Sequence, residues 1–256
     1  MSKLVKKLKQ ISAGVAQPLG FKTTTVSPNR RMLLISVLPR GDAAKITQLI
    51  QAEVDAILIY SQDLEQNKQI TQQLAKNAES IPWGIWLKAM TEEKVKQLTE
   101  IGSDFLVFEA STAPAIILLQ EEMGKVLKMD LPQDNGLLMT IDRLPIDAVL
   151  LEIKKEGEVL TISDLMHCQW LAGLIDKPLL VATAQELTDK ETQALWEAGV
   201  NGIVVEVGEE QLQERLERLC QAIDALPTTP KRRSEGGKVV LPRLEQEADS
   251  VTPEEI

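Results

Sequence analysis

Six ionisable residues draw attention because each ends an otherwise apolar run. Lys88 follows Trp83-Gly84-Ile85-Trp86-Leu87, and Glu109 follows Phe105-Leu106-Val107-Phe108. Lys128 and Asp130 end the run that begins at Val126, and Glu152 follows Ala148-Val149-Leu150-Leu151. Glu206 lies in Ile203-Val204-Val205-Glu206-Val207. Charge next to apolar surface is tolerated when it is paired or bound to something. Two lysines among four carboxylates open three chemistries. A lysine among apolar neighbours has a depressed pKa and can serve as Schiff-base nucleophile or general base, with a carboxylate relaying protons. Alternatively, two or three of the carboxylates hold Mg²⁺ or Mn²⁺, which polarises a carbonyl oxygen. The third arrangement is a Lys–Glu network that neutralises a polar interior without turnover.

Other reactive side chains have plainer explanations. The single histidine, His167, falls inside a helical stretch away from any strand end, where a satisfied helix residue is expected. Cys168 and Cys220 lie on apolar helix stripes, as small buried thiols do, and two cysteines make no disulfide framework. Trp83 is expected to fill core, whereas Trp86 is free either to pack or to stack on a ligand. Tyr60 ends a further apolar run, Ser36 lies within one, and Thr183 follows another. The chain contains no G-x-G-x-x-G, no G-x-x-x-x-G-K-[ST] and no H-E-x-x-H, so nucleotide and zinc-protease signals are absent.

The elements that must position these groups are eight short runs. They start near residues 33, 56, 83, 105, 126, 148, 179 and 203, about 21 to 31 residues apart. Their Leu, Ile and Val content suits strands covered on both faces, and each gap has room for a helix, so parallel βα units are predicted. Several helix ends are legible. Asp42 precedes a stripe of Ile46, Leu49 and Ile50; Thr91 opens a helix that Gly102 ends; Thr188 opens another that ends at Gly199. Ser163 is the expected cap of a helix stopping near Gly173, and a last helix begins near Glu209. Between Leu131 and Asp147, Pro132 and Pro145 leave space for one short helix over Leu137 to Leu144.

Eight such units in about 190 residues resemble a compact (β/α)₈ barrel, with an open doubly wound sheet as the alternative because the pattern does not encode strand order. The stretch from Trp196 to Val207, through Ala198-Gly199-Val200-Asn201-Gly202, resembles the helix-seven to strand-eight passage of aldolase-like and phosphate-binding barrels. Ile101-Gly102-Ser103-Asp104-Phe105 has the same form. The resemblance implies chemistry at the carboxyl ends of the strands. Period-two alternation puts Gly84, Trp86 and Lys88 on one face, with Phe105, Val107 and Glu109, then Val126, Lys128 and Asp130. Ala148, Leu150 and Glu152 follow, and Gly202, Val204 and Glu206. The six charged tips are therefore expected to converge on one pocket. Two departures from the resembling barrels shape the function. Strand eight runs into Gly208-Glu209-Glu210, carboxylates where an anion would sit, so phosphorylated substrates are disfavoured. Strand six has no counterpart of the class I aldolase lysine, leaving the Schiff-base role to Lys88 or Lys128.

Charge divides the chain further. Residues 1–40 carry eight basic and no acidic groups, although the 256-residue chain has net charge −10. The acidic remainder repels nucleic acid, and no apolar run is long enough for a transmembrane helix. Residues 1–31 form a basic arm in which Leu4, Leu8, Ile11 and Val15 share a helical face. That amphipathic helix can lie on an anionic membrane, dock on a protein partner, or close the bottom of the barrel. The barrel spans 32–226. Residues 227–256 read as a disordered tail with an apolar island at 238–244 suited to docking. A reducing cytoplasm is the expected location. Two functions follow: an aldolase- or lyase-like enzyme acting on a small non-phosphorylated polar metabolite, or a non-catalytic barrel scaffold recruited to partners or membrane through residues 1–12 and the tail.

Overall fold

Strand and helix alternate along the chain from Leu33 to Asp224. The computed structural model describes residues 1–12, 30–38, 45–61, 67–76, 81–88, 90–130, 135–153, 159–184, 186–206 and 212–227. The strands are β1 (Leu33–Leu38), β2 (Ala56–Ser61), β3 (Trp83–Leu87), β4 (Phe105–Glu109), β5 (Gly124–Met129), β6 (Ala148–Ile153), β7 (Leu179–Thr183) and β8 (Gly202–Glu206). The helices are α1 (Lys3–Ser12), α2 (Lys45–Gln51), α3 (Lys68–Lys76), α4 (Glu92–Glu100), α5 (Asn135–Leu138), α6 (Ile162–Leu174), α7 (Asp189–Glu197) and α8 (Leu212–Asp224). Each strand pairs in parallel with the next, and β8 pairs with β1 from Leu33↔Gly202 to Val37↔Glu206, closing the (β/α)₈ barrel.

Alternation sorts the strand side chains as expected. Leu33, Ile35, Leu58, Phe105, Val107, Val126, Leu150 and Val204 pack together inside the ring. Their neighbours of opposite parity, among them Leu34, Ile57, Leu106, Val149, Val181 and Ile203, are buried beneath the helices. Ser36 has this outward parity, so it is buried away from the barrel interior. Gly84 is an inward position with no room for a side chain, because a Cβ there would collide with the Phe105 ring. Phe105, 1% exposed, fills the space instead.

The amino ends of the strands show a repeated device. Asp55, Asp147 and Asn201 each stand just before an even-numbered strand. Their side chains accept the backbone N–H of Leu34 (3.0 Å), Lys125 (2.9 Å) and Leu179 (2.9 Å) on the preceding strand. These otherwise unpaired donors at the foot of the barrel are thereby satisfied. Asp104, before β4, serves α1 instead. Its carboxylate accepts from Ser2 Oγ (2.7 Å), Lys3 N (2.7 Å) and Leu4 N (2.9 Å), which caps the helix and favours its positive end. Leu4 and Leu8 then pack into the barrel interior from below, with Ile11 partly buried beside them. Lys7 and Arg30 meet Asp55 at 3.2 and 3.1 Å. Of the arrangements open to this basic helix, the chain adopts the one that floors the barrel.

Some local expectations are corrected. Between β4 and β5 the segment is a 3₁₀ turn, Ala115–Leu119, entered from Pro114 in extended backbone, rather than an α-helix. The helix expected over Leu137 to Leu144 is split into α5 and a 3₁₀ turn at Ile141–Arg143. α6 is capped by Thr161 rather than Ser163: the Thr161 hydroxyl accepts from Asp164 N while Asp164 accepts from Thr161 N, a reciprocal capping box. Thr91 and Thr188 cap α4 and α7 as expected, and Gly102 and Gly199 follow those helices at φ +78° and +97°, values costly for other residues. Asp42, Val15, Gly208-Glu209-Glu210 and the apolar island at 238–244 lie outside the described residues. Among those described, no helix is long and apolar enough to cross a membrane.

Candidate functional site

The mouth of the barrel holds a cavity of about 720 Å³ at the carboxyl ends of the strands. Five of the six sequence-predicted residues line it: Lys88, Glu109, Lys128, Glu152 and Glu206. Asp130 does not; it is exposed one residue beyond β5, where the strand path has already left the rim. Tyr60, Trp86 and Thr183 also line the cavity, with Val37, Ile153, Ala182 and Val204 as its apolar surface.

Lys128 is the centre of the arrangement. Its β5 position is paired in register with Glu109 on β4, and Glu152 stands two residues beyond Leu150, its register partner on β6. Both glutamates share the inward parity, so they reach the ammonium from either side. Lys128 Nζ lies 2.9 Å from Glu109 Oε1 and 3.0 Å from Glu152 Oε2. The lysine side chain is 6% exposed, against 40% for Glu109 and 27% for Glu152. The same Nζ lies 4.8 Å from the centroid of the Trp86 ring, within cation–π range. Tyr60 meets Trp86 edge to face, with ring centroids 5.0 Å apart and planes at 73°. The indole thus has both a cation and a second aromatic ring against it. Trp83, by contrast, is fully buried in the outer core.

Electrostatics reverse one expectation. Burial pulls the Lys128 ammonium toward a lower pKa, but the hydrogen bonds from Glu109 and Glu152 and their charge outweigh it. The pKa stands above the ordinary lysine value, so Lys128 is a fixed cation near neutral pH rather than a ready nucleophile. That ammonium also occupies the gap between Glu109 and Glu152 where a divalent ion would need to sit. Among the described residues, no group of three His, Cys, Asp or Glu is arranged to hold a metal. Lys88 is exposed at the rim, and Glu206, also exposed, is the last residue of β8. His167 is half-buried on α6, and Cys168 and Cys220 are buried and unoxidised.

Parity found the charged tips but could not find how they pair. The Trp86 wall was visible only as an inward aromatic, and its edge contact with Tyr60 depends on the β2–β3 register, Tyr60↔Trp86, which pattern does not encode.

No family model matches this chain, and no curated protein matches it by sequence. Its fold is shared by solved structures of low identity. The tryptophan synthase structure from M. tuberculosis in its aminoacrylate-bound form is similar at TM-score 0.63 and 11% identity, covering 85% of this chain and 99% of that one. Thiamine phosphate pyrophosphorylase from Pyrococcus furiosus is similar at TM-score 0.58 and 11% identity, covering 77% and 97%. A structure described as native KDPGal is similar at TM-score 0.55 and 14% identity, covering 79% and 94%. The chain has the TIM-barrel fold that these structures share.

Proposed function

We propose that the mouth is the active site of an aldolase- or lyase-like enzyme acting on a small, non-phosphorylated polar carbonyl compound. The observation that carries this reading is the Lys128 ammonium held at the cavity wall between Glu109 and Glu152, with Trp86 beside it. A charged lysine fixed by its surroundings is a preorganised electrophile: its N–H groups can hold a substrate oxygen on which negative charge develops. When a carbonyl oxygen takes one N–H, one glutamate is released from its ion pair and becomes a base beside the substrate. It accepts a proton from the carbon next to the carbonyl; the C–H electron pair becomes the enolate double bond, and the oxygen's new charge rests on Lys128. The other glutamate keeps the ammonium charged through the step. Three carboxylates against two ammonium groups in the lining disfavour a dianionic phosphate ester. The flat indole suits the planar enolate.

The test is hydrogen exchange at carbon. The full chain is incubated in D₂O with pyruvate, 2-oxobutyrate, dihydroxyacetone or glyceraldehyde, and loss of the α-proton signal is followed by proton NMR. Protein-dependent exchange that falls at least 100-fold in Lys128→Met and Glu152→Gln supports the proposal. Folded protein that neither exchanges any probe nor gains thermal stability from one points to the non-catalytic scaffold instead.

A further inference from the structure

The barrel mouth has an apolar side that the proposed chemistry leaves unused. A barrel of eight tilted strands advances about one residue per strand around the ring. Following the strand register in this way leads from Val37 through Trp86, Lys128 and Ala182 and back to Val37. These four residues, one from each odd-numbered strand, make a single inward layer. Strands four apart in the ring face each other, so Lys128 on β5 faces Val37 on β1, and Trp86 on β3 faces Ala182 on β7. The largest side chain of the layer stands across from the smallest.

The same path one level lower passes through Leu58, Val107, Leu150 and Val204, all buried. Of these four, Val204 alone also lines the mouth cavity. The cavity therefore reaches the lower layer on the side of β7, β8 and β1, between the short side chains of Ala182 and Val37. Charge occupies the other side, where Glu109, Lys128 and Glu152 come from β4, β5 and β6. Glu206, one level above Val204 on β8, is exposed at the rim.

We propose that the recess of Val37, Ala182 and Val204 holds a short alkyl substituent of the substrate, which is then a carbonyl compound with a hydrocarbon chain and not a polyol. The inference rests on the reading of the mouth as a carbonyl site. A hydroxyl placed in the recess gives up hydrogen bonds to water that three hydrocarbon side chains cannot replace. A methylene placed there leaves water and tightens binding roughly fourfold. Glu152 and Ala182 are register partners, so the glutamate of β6 is the one beside the chain. With the carbonyl oxygen on Lys128, the carbon next to the carbonyl passes Glu152 and the rest of the chain enters the recess.

The experiment uses the full chain in D₂O with pyruvate, 2-oxobutyrate, 2-oxopentanoate and hydroxypyruvate, the last matching 2-oxobutyrate in size but ending in a hydroxyl. Saturation-transfer NMR gives the dissociation constants, and α-proton exchange is followed in the same samples. Wild type should bind 2-oxopentanoate about fifteenfold tighter than pyruvate, and 2-oxobutyrate about tenfold tighter than hydroxypyruvate. Ala182→Leu fills the recess and should bring the first ratio to about one. Val37→Thr keeps the volume but adds a hydroxyl, and should lower the second ratio about fivefold. Circular dichroism checks the fold of each variant, and Val37→Thr decides alone where Ala182→Leu does not fold. Affinity that fails to rise with chain length, or a ratio that survives in its folded variant, overturns the inference; α-proton exchange in that case leaves the carbonyl chemistry standing. Affinity that rises as expected with no exchange of any probe supports the recess and removes the proposed reaction. Absence of binding by every probe overturns both.

Discussion

Replacing Lys128 by Met removes one charge from the barrel mouth and leaves two facing each other. The side chain is nearly isosteric with the lysine stem, so packing around it changes little, and the effect is electrostatic. A buried ion pair broken by loss of one partner costs about 3–5 kcal/mol, and an exposed pair about 0–1 kcal/mol. Lys128 is 6% exposed, but Glu109 at 40% and Glu152 at 27% retain water, so the cost falls between these limits, at about 2 kcal/mol. In a barrel of this size that lowers Tm by roughly 4–8 °C. The pH dependence identifies the cause. In the native chain the folded-state pKa of Lys128 is raised, so its stabilisation is fully present below the unfolded lysine value. It is lost only as pH rises through the raised folded value, at strongly alkaline pH. In Lys128→Met the two carboxylates face one another with no cation between them, and their repulsion requires both to be charged. The deficit against wild type therefore shrinks as pH falls from 7 toward 4.5. Adding Glu109→Gln and Glu152→Gln to Lys128→Met restores most of the lost stability at pH 7. Urea unfolding across that pH range measures all three. A Lys128→Met variant as stable as wild type at pH 7, or one whose deficit is independent of pH, refutes the clamp.

Three further outcomes follow from the structure. Asp104→Ala removes three hydrogen bonds from the start of α1 and should cost about 2 kcal/mol, with hydrogen exchange of residues 1–12 accelerated ahead of the strands. Burial raises the Cys168 thiol to about 12, with Asp164 adding to the rise, so iodoacetamide at pH 8 should label it only when the chain is unfolded; mass spectrometry reads the site directly. Thr188→Ala should cost about 1 kcal/mol through loss of the α7 cap. The backbone N–H of Thr188 holds the Glu191 carboxylate below the ordinary range. The associated stability is present above the unfolded Glu pKa and is lost as pH falls through the lowered value; the backbone N–H survives in Thr188→Ala and only the smaller hydroxyl contribution disappears, so the deficit should narrow only slightly in acid unfolding curves.

How far the amino-acid sequence discloses this molecule depends on the range of the interaction concerned. Strands and their inward faces are set by a two-residue period, and Phe105, Val107 and Glu109 or Ala148, Leu150 and Glu152 follow it without exception. Helix caps at Thr91 and Thr188 are equally local. The period says nothing of where the rim ends, so Asp130 keeps inward parity on paper while lying beyond the last paired residue of β5, Met129. The segment between β4 and β5 carries Ile and Leu in a helix-compatible pattern, yet it forms only the 3₁₀ turn that follows Pro114.

The least legible features are those in which one side chain answers to groups from several strands. Lys128 among apolar neighbours predicts a depressed pKa, and the opposite holds because Glu109 and Glu152 come from strands on either side of β5. Asp104 is a similar case. Its place before a strand is the same as that of Asp55, Asp147 and Asn201, and the short-range pattern assigns all four one role. Three of them cap a strand, while Asp104 accepts hydrogen bonds from residues about a hundred positions earlier and so fixes the helix that floors the barrel. The floor and the mouth therefore rest on the same principle. A ring of parallel strands leaves charged or donor groups unpaired at both rims, and at each rim a carboxylate from one element is matched to a donor from another. At the foot Asp55, Asp104, Asp147 and Asn201 make such matches among the described residues. At the mouth the cation is buried while its two partners keep access to water, and the proposed chemistry rests on that asymmetry.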